Sequence, residues 1–246
     1  MTSPALSPHR PVVLFDLDGT LVDTIPLIVA SYQHAFRAVL GEEVDEPRAR
    51  AWIGRPLLDA LLEESPEHGH ALDAEYRRWN LANTERLIRR VDGVERMLAV
   101  LAGAGVRTGI VTSKRRETSR LALRCAGIEN VVEVVAGMED TATHKPQPEP
   151  LLHGAQVLGV DPGSCVYVGD AVVDLQAARA AGMTAVAVTW GAGERDALVA
   201  EQPHAVVDDV AALAEVLVPT APPAPGADET DVARESQSGA PVQPTR

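Results

Sequence analysis

From residue 91 to residue 217 the chain repeats one pattern: a short apolar run, a turn, a stretch of helical spacing, another turn. Helices are expected over residues 94–101, 115–126, 149–158, 172–181 and 210–217, several of them stopped by a glycine such as Gly103, Gly127 or Gly182. Strands are expected over residues 107–111, 131–135, 165–168 and 184–188. Regular β-α alternation of this kind is the signature of an α/β fold, a doubly wound parallel sheet with helices on both faces. Right-handed crossovers then bring the carboxyl ends of the strands to one edge, where ligands bind in such folds.

A further strand precedes this region. Val12-Val13-Leu14-Phe15 is wholly apolar and runs straight into Asp16-Leu17-Asp18-Gly19-Thr20. A short apolar run ended by a turn signal reads as a strand buried on both faces. On a strand Asp16 and Asp18 point the same way, so two carboxylates share a small volume at its end. Like charges that close repel unless a cation or a shared proton intervenes.

Between the first strand and the alternating region the pattern is helical. Thr24 can cap a helix with Pro26 in its first turn, Ile28, Tyr32, Ala35, Phe36 and Val39 recur at helical spacing, and Gly41 ends the run. Charged, helix-favouring sequence continues to about Arg90, broken at Gly54-Arg55-Pro56 and Ser65-Pro66, with one long helix from Ala71 through Arg89. No strand signal stands between Leu21 and Arg90. The expected organisation is a flexible N-terminus over 1–10, an α/β core over 11–22 and 91–218, an inserted all-helical domain over 23–90, and a disordered tail over 219–246. That tail is rich in Pro, Ala, Gly, Ser and Thr and lacks periodic apolar positions, so it cannot offset the entropy of ordering.

Composition excludes several function classes. The net charge of −13 argues against a nucleic-acid or membrane surface. No apolar run approaches a membrane span, and the first ten residues carry no signal-peptide pattern. Cys125 and Cys165 form no C-x-x-C pair and read as structural thiols of a cytoplasmic protein. An anionic substrate would need local compensation from a metal, a lysine or backbone amides.

Four polar clusters follow four of the strands: Asp16 and Asp18; Thr112, Ser113 and Lys114; His144-Lys145-Pro146; and Gly169-Asp170 with Asp174. Singly, each has a plainer reading. Thr112 and Ser113 alone read as an N-cap for the next helix. Lys145 and His144 alone read as solvated surface residues, and Asp170 and Asp174 as acids favoured at a helix N-terminus. Together, on one rim of a parallel sheet, they describe a site for a hard divalent cation and a phosphoryl group. Mg²⁺ takes oxygen ligands and is held by one or two carboxylates plus substrate phosphate. Lys145 and the Thr112 hydroxyl can hold the remaining phosphoryl oxygens, one acid can attack, and its neighbour can move protons.

In order and context, Asp16-Leu17-Asp18-Gly19-Thr20, Thr112, Lys145 and Gly169-Asp170 with Asp174 resemble the four motifs of the haloacid dehalogenase superfamily, over all but the tail. The helical insert is similar to that superfamily's cap domain. The resemblance implies that Asp16 is the nucleophile forming an aspartyl-phosphate, and that Asp18 protonates the leaving group and then deprotonates water. It implies that Thr112 and Lys145 bind the phosphoryl group. Mg²⁺ would be held by the Asp16 carboxylate, the Asp18 backbone carbonyl and Asp170, with Asp174 in support. Trp52-Ile53-Gly54-Arg55-Pro56-Leu57 and Lys145-Pro146-Gln147-Pro148-Glu149-Pro150 are similar to phosphoglycolate phosphatases and related pyrophosphatases. Tyr76-Arg77-Arg78-Trp79-Asn80 and Thr189-Trp190 lean toward the latter. Two departures stand out: Ser113 where many relatives carry Asn, and Ala171 where a small polar residue is common. The expected activity is hydrolysis of a small phosphorylated metabolite or of pyrophosphate, with a sugar phosphomutase as the alternative. Thr20, a position where those mutases often lack Thr, joins Arg55 and Lys114 as candidate specificity residues. Nothing in the sequence fixes the oligomeric state.

Overall fold

The structure, a computed structural model, describes residues 12–218; the expected flexible N-terminus and disordered tail lie outside the described residues. Six strands form one parallel sheet: β1 (Val12–Phe15), β4 (Arg107–Val111), β5 (Val134–Ala136), β6 (Cys165–Gly169), β7 (Thr184–Val188) and β8 (Ala205–Val207). Their order across the sheet is β5-β4-β1-β6-β7-β8. The chain therefore lays β4 and β5 on one side of β1, then crosses over and builds β6, β7 and β8 on the other. The order reverses at β1, so a crevice opens at the carboxyl ends of β1, β4 and β6.

Core helices cover both faces: α5 (Val94–Gly103), α6 (Arg116–Ala126), α7 (Glu149–Leu158), α8 (Val172–Ala180), α9 (Arg195–Ala200) and α10 (Val210–Leu217). β1 explains why: its four residues are buried, with Val13 and Phe15 in one apolar cluster and Val12 and Leu14 in another across the sheet. A strand buried on both faces has no room for alternating polar residues.

The four cap helices are α1 (Ile25–Leu40), α2 (Glu46–Arg50), α3 (Leu57–Glu64) and α4 (Gly69–Leu87). They have an apolar centre of their own, in which Tyr32 packs against both Trp52 and Tyr76 with ring centroids 4.9 and 4.8 Å away. Gly41 ends α1 in the left-handed conformation, at φ 67°. No helix among the described residues is long and apolar enough to cross a membrane.

Several local expectations need correction. The stretch between Leu21 and Arg90 does hold strand: β2 (Val22–Asp23) and β3 (Arg89–Arg90) pair antiparallel where the chain leaves and re-enters the core. Two-residue strands paired over such a separation leave no local alternation to read. The strand expected over 131–135 begins at Val134, because the turn after Gly127 continues further and Val131 is exposed. α9 and β8 add to the expected elements. Thr24 occupies the N-cap position of α1, yet its hydroxyl makes no capping bond.

Candidate active site

Three of the expected polar clusters directly follow their strands, and the fourth, with Lys145, lies in the loop beyond β5. Asp16 immediately follows β1, and its backbone N–H extends the ladder by donating to the Val168 carbonyl at 2.8 Å. Thr112 follows β4 in the same way, donating to the Ala136 carbonyl at 3.0 Å. Lys145 arrives on the loop before α7, and Asp170 follows β6 with Asp174 in the first turn of α8.

Lys145 lies at the centre. Taken alone it reads as a surface lysine, but it is 3% exposed, and its Nζ donates to Asp16 Oδ1 at 2.8 Å and Asp174 Oδ1 at 2.5 Å. A third bond, at 3.2 Å, runs to the hydroxyl of Tyr167, which in turn donates to the Val111 carbonyl. All three donor positions of the ammonium are thereby used. Asp174 also accepts from the Ala171 N–H at 3.0 Å, so it braces the lysine from behind.

Asp170 is held from both sides. Thr20 Oγ1 donates to its Oδ1 at 2.8 Å and the Ala192 N–H donates to its Oδ2 at 2.7 Å. Gly19, at φ 82°, passes so close that a Cβ there would stand 2.4 Å from Asp170 Oδ2. A side chain is thus excluded on both conformational and steric grounds.

Asp16, Asp170 and Asp174 offer carboxylate oxygens all within 4.8 Å of one another, and all three residues are buried. With every group ionised, three carboxylates and one ammonium leave an excess of two negative charges. Burial is costly for such an excess. The Asp16 carboxyl shows this cost: burial, with the Asp174 and Asp18 charges, pushes it up to about 7 against the pull of Lys145. Burial raises Asp170 as well, aided by Asp174 and Asp16. Lys145 is raised too, but for the opposite reason: burial pulls it down, and the Asp16 and Asp174 carboxylates together outweigh burial and favour its charged form. One divalent cation balances the excess, and an all-oxygen donor set suits a hard divalent ion. Asp16 and Asp170 would hold it; Asp174 is already committed to Lys145.

Asp18 stands apart from this cluster. Its carboxylate turns to Lys114, whose Nζ donates at 3.0 and 3.2 Å. Thr112 and Ser113 do not cap the following helix. Thr112 Oγ1 accepts from the Lys114 N–H at 3.1 Å, and the Ser113 hydroxyl donates across to the Gly54 carbonyl of the cap at 3.2 Å. Above these residues a cavity of about 240 Å³ separates core from cap. Asp16, Asp18, Thr112, Ser113, Lys114 and Lys145 line it from below, and Tyr32, Trp52, Arg55, Tyr76 and Arg77 from above. Arg55 is paired with Glu63. Thr20, named as a candidate specificity residue, is not in that lining; it is 1% exposed beneath the floor, bonded to Asp170.

Two contributors escape a reading of the sequence. Tyr167 sits within an apolar strand and reads as filler. Residues 190–193, Trp-Gly-Ala-Gly, follow β7 and wrap Asp170; the small residues after an apolar run are the available signal, since they permit close backbone approach.

On this parallel α/β sheet an acid pair follows β1, a lysine is buried beside it and a second acid pair follows β6; the class of protein is shown by the sequence. The family described as haloacid dehalogenase-like hydrolase matches residues 13–188, and the chain belongs to it. Among curated relatives, the pyrophosphatase PpaX of Bacillus pumilus is 32% identical over 205 residues, covering 83% of this chain and 95% of that protein. The phosphoglycolate phosphatase of Xylella fastidiosa is 39% identical over 205 residues, covering 78% and 89%. Among solved structures, a β-phosphoglucomutase from Clostridium difficile superposes with a TM-score of 0.70 at 22% identity, covering 82% of this chain and 92% of that one. The fold alone therefore does not separate transfer to water from transfer within a sugar.

Proposed function

We propose that the protein is a Mg²⁺-dependent phosphatase of the cytoplasm that hydrolyses a small phosphate compound through an aspartyl-phosphate on Asp16. One observation carries this reading: Asp16 faces the cavity while its other side is fixed by the buried Lys145, within reach of a second acid, Asp18, that is kept out of the cluster. Mg²⁺, when bound by Asp16 and Asp170, would neutralise the excess charge and polarise the phosphoryl oxygens. Lys145 holds Asp16 in line for attack and supplies positive charge to the phosphoryl group. The Thr112 hydroxyl offers a further donor at the same floor. Asp18 protonates the leaving oxygen and then takes the proton of the attacking water, and Lys114, at present on Asp18, can turn to an anionic leaving group.

The cavity of about 240 Å³ lies below the range that holds drug-sized ligands. Arg55, Arg77 and Lys114 around it favour a compact anion. Phosphoglycolate and pyrophosphate, the substrates named for the two relatives, both meet that description. The paired, buried floor favours hydrolysis through Asp16 over a binding role without turnover. The test is a panel of phosphoglycolate, pyrophosphate, sugar phosphates and nucleotides assayed for free phosphate with Mg²⁺ and with EDTA. Release from a small anion, abolished reversibly by EDTA, supports the reading. Consumption of a sugar phosphate without free phosphate would turn it to a mutase, and EDTA-insensitive release would remove the metal.

A further inference from the structure

The Trp190–Gly193 segment touches three things at once, and their combination has a mechanical meaning. Its Ala192 N–H donates to Asp170 Oδ2 at 2.7 Å. The carbonyl of the same peptide unit, that of Gly191, accepts from Arg50 Nη1 of the cap at 3.2 Å. The Ala192 methyl packs into the cap's apolar cluster rather than the core's. The segment also reaches the other oxygen of Asp170 indirectly. Trp190 Nε1 donates to the Thr20 carbonyl at 3.1 Å, and the Thr20 hydroxyl donates to Asp170 Oδ1.

The segment's backbone packs directly against Asp170, with no room for a side chain between them. A Cβ on Gly191 would stand 2.1 Å from Asp170 Oδ2, and the Gly193 N–H donates to the Asp170 carbonyl at 3.0 Å. A peptide unit is rigid and planar, so a pull on its carbonyl turns its N–H. We propose that Arg50 is a positioning residue: by holding the Gly191–Ala192 peptide it makes the seating of the cap set the orientation of Asp170. This inference rests on the reading of Asp170 as a metal-holding carboxylate. Arg50 touches neither substrate nor the reacting atoms, and its same-helix pair with the exposed Glu46 runs through Nε at 2.8 Å, a different nitrogen from the Nη1 that holds Gly191.

Partners that orient a metal-holding carboxylate change metal affinity by roughly 10- to 100-fold when removed; Arg50 acts one bond further out, so about 5-fold is expected. The experiment is calorimetric titration of the full chain with Mg²⁺ alone, without substrate, on wild type, Arg50→Ala, Arg50→Lys, Glu46→Gln and Asp170→Asn. Support is a fall of about 5-fold for Arg50→Ala, partial recovery for Arg50→Lys, and wild-type affinity for Glu46→Gln. In the enzyme assay the Mg²⁺ concentration for half-maximal rate rises by the same factor while substrate KM at saturating Mg²⁺ stays unchanged. Wild-type affinity in Arg50→Ala, with Asp170→Asn weakened, overturns the inference and leaves the proposed function standing. Equal weakening in Arg50→Ala and Glu46→Gln also overturns it, since damage to α2 would then be the cause. Wild-type affinity in Asp170→Asn removes the metal reading itself.

Discussion

The floor of the cleft and its roof handle charge in opposite ways. On the floor, Lys145, Asp16, Asp170 and Asp174 are all buried; Lys145 locks Asp16 and Asp174, and Thr20 and the Ala192 N–H hold Asp170. On the cap, charges lie outside in pairs such as Arg37–Glu43 and Arg78–Glu75, and the interior is aromatic. Exposed pairs of that kind contribute little, whereas unbalanced buried charge is expensive enough to demand a partner. The difference teaches where chemistry and selection sit. Reacting groups stand on a rigid sheet edge, and the residues that can meet a variable leaving group hang on helices joined to the core by the β2–β3 ribbon and a few cross-contacts.

The comparison breaks most sharply at Asp16. Asp16→Asn is expected to lower kcat by at least about 10³-fold, the scale of losing a nucleophile, with phosphate release as the readout. Lys145→Met should come next and should show in stability as well as rate. Two carboxylates then lose their buried partner, a change that costs about 3–5 kcal/mol and lowers Tm by roughly 6–20 °C in a domain of this size. Mg²⁺ should restore part of that loss; a thermal melt without change would contradict the account of the floor.

A pH experiment sharpens the same contrast. The Asp16 carboxyl is raised by burial from 3.8 to about 7 in the metal-free protein. The folded state therefore holds more protons than the unfolded state between those values, and stability from this group is lost as pH rises from about 4 to 7. Cation binding needs the carboxylate, so Mg²⁺ affinity should weaken as pH falls below 7, with protons released on binding at pH 6. Calorimetry in buffers of different ionisation enthalpy measures that release; none at pH 6 would contradict the shift. The smallest expected effect belongs to the roof. Arg55→Ala should raise KM by about 10-fold for an anionic substrate and leave kcat nearly unchanged, the mark of binding that does not change in the transition state.

The floor is legible in sequence because each of its clusters comes directly after an apolar strand or in the loop beyond one, and a parallel sheet brings its strand ends to a single edge. β4, α7, β7 and α10 run as their periodicity indicates for the same reason. Burial of Lys145 is not legible, since nothing local distinguishes it from a surface lysine; its partners lie 129 and 29 residues away. The roles of Thr20, Tyr167 and residues 190–193 are hidden likewise, as they act through contacts between segments distant in the chain. The β2–β3 ribbon escapes because two residues carry no period.

The central claim is that Asp16 takes the phosphoryl group. Its most direct test is rapid acid quench of Asp18→Asn during turnover of p-nitrophenyl phosphate, whose leaving group departs without needing a proton from Asp18, followed by mass spectrometry of the peptide carrying Asp16. With Asp18 unable to draw a proton from water, the account predicts a phosphorylated Asp16 that accumulates to a large fraction of enzyme and vanishes in Asp16→Asn. Continued phosphate release in Asp16→Asn, or turnover with no phosphoryl group on that peptide, would contradict it.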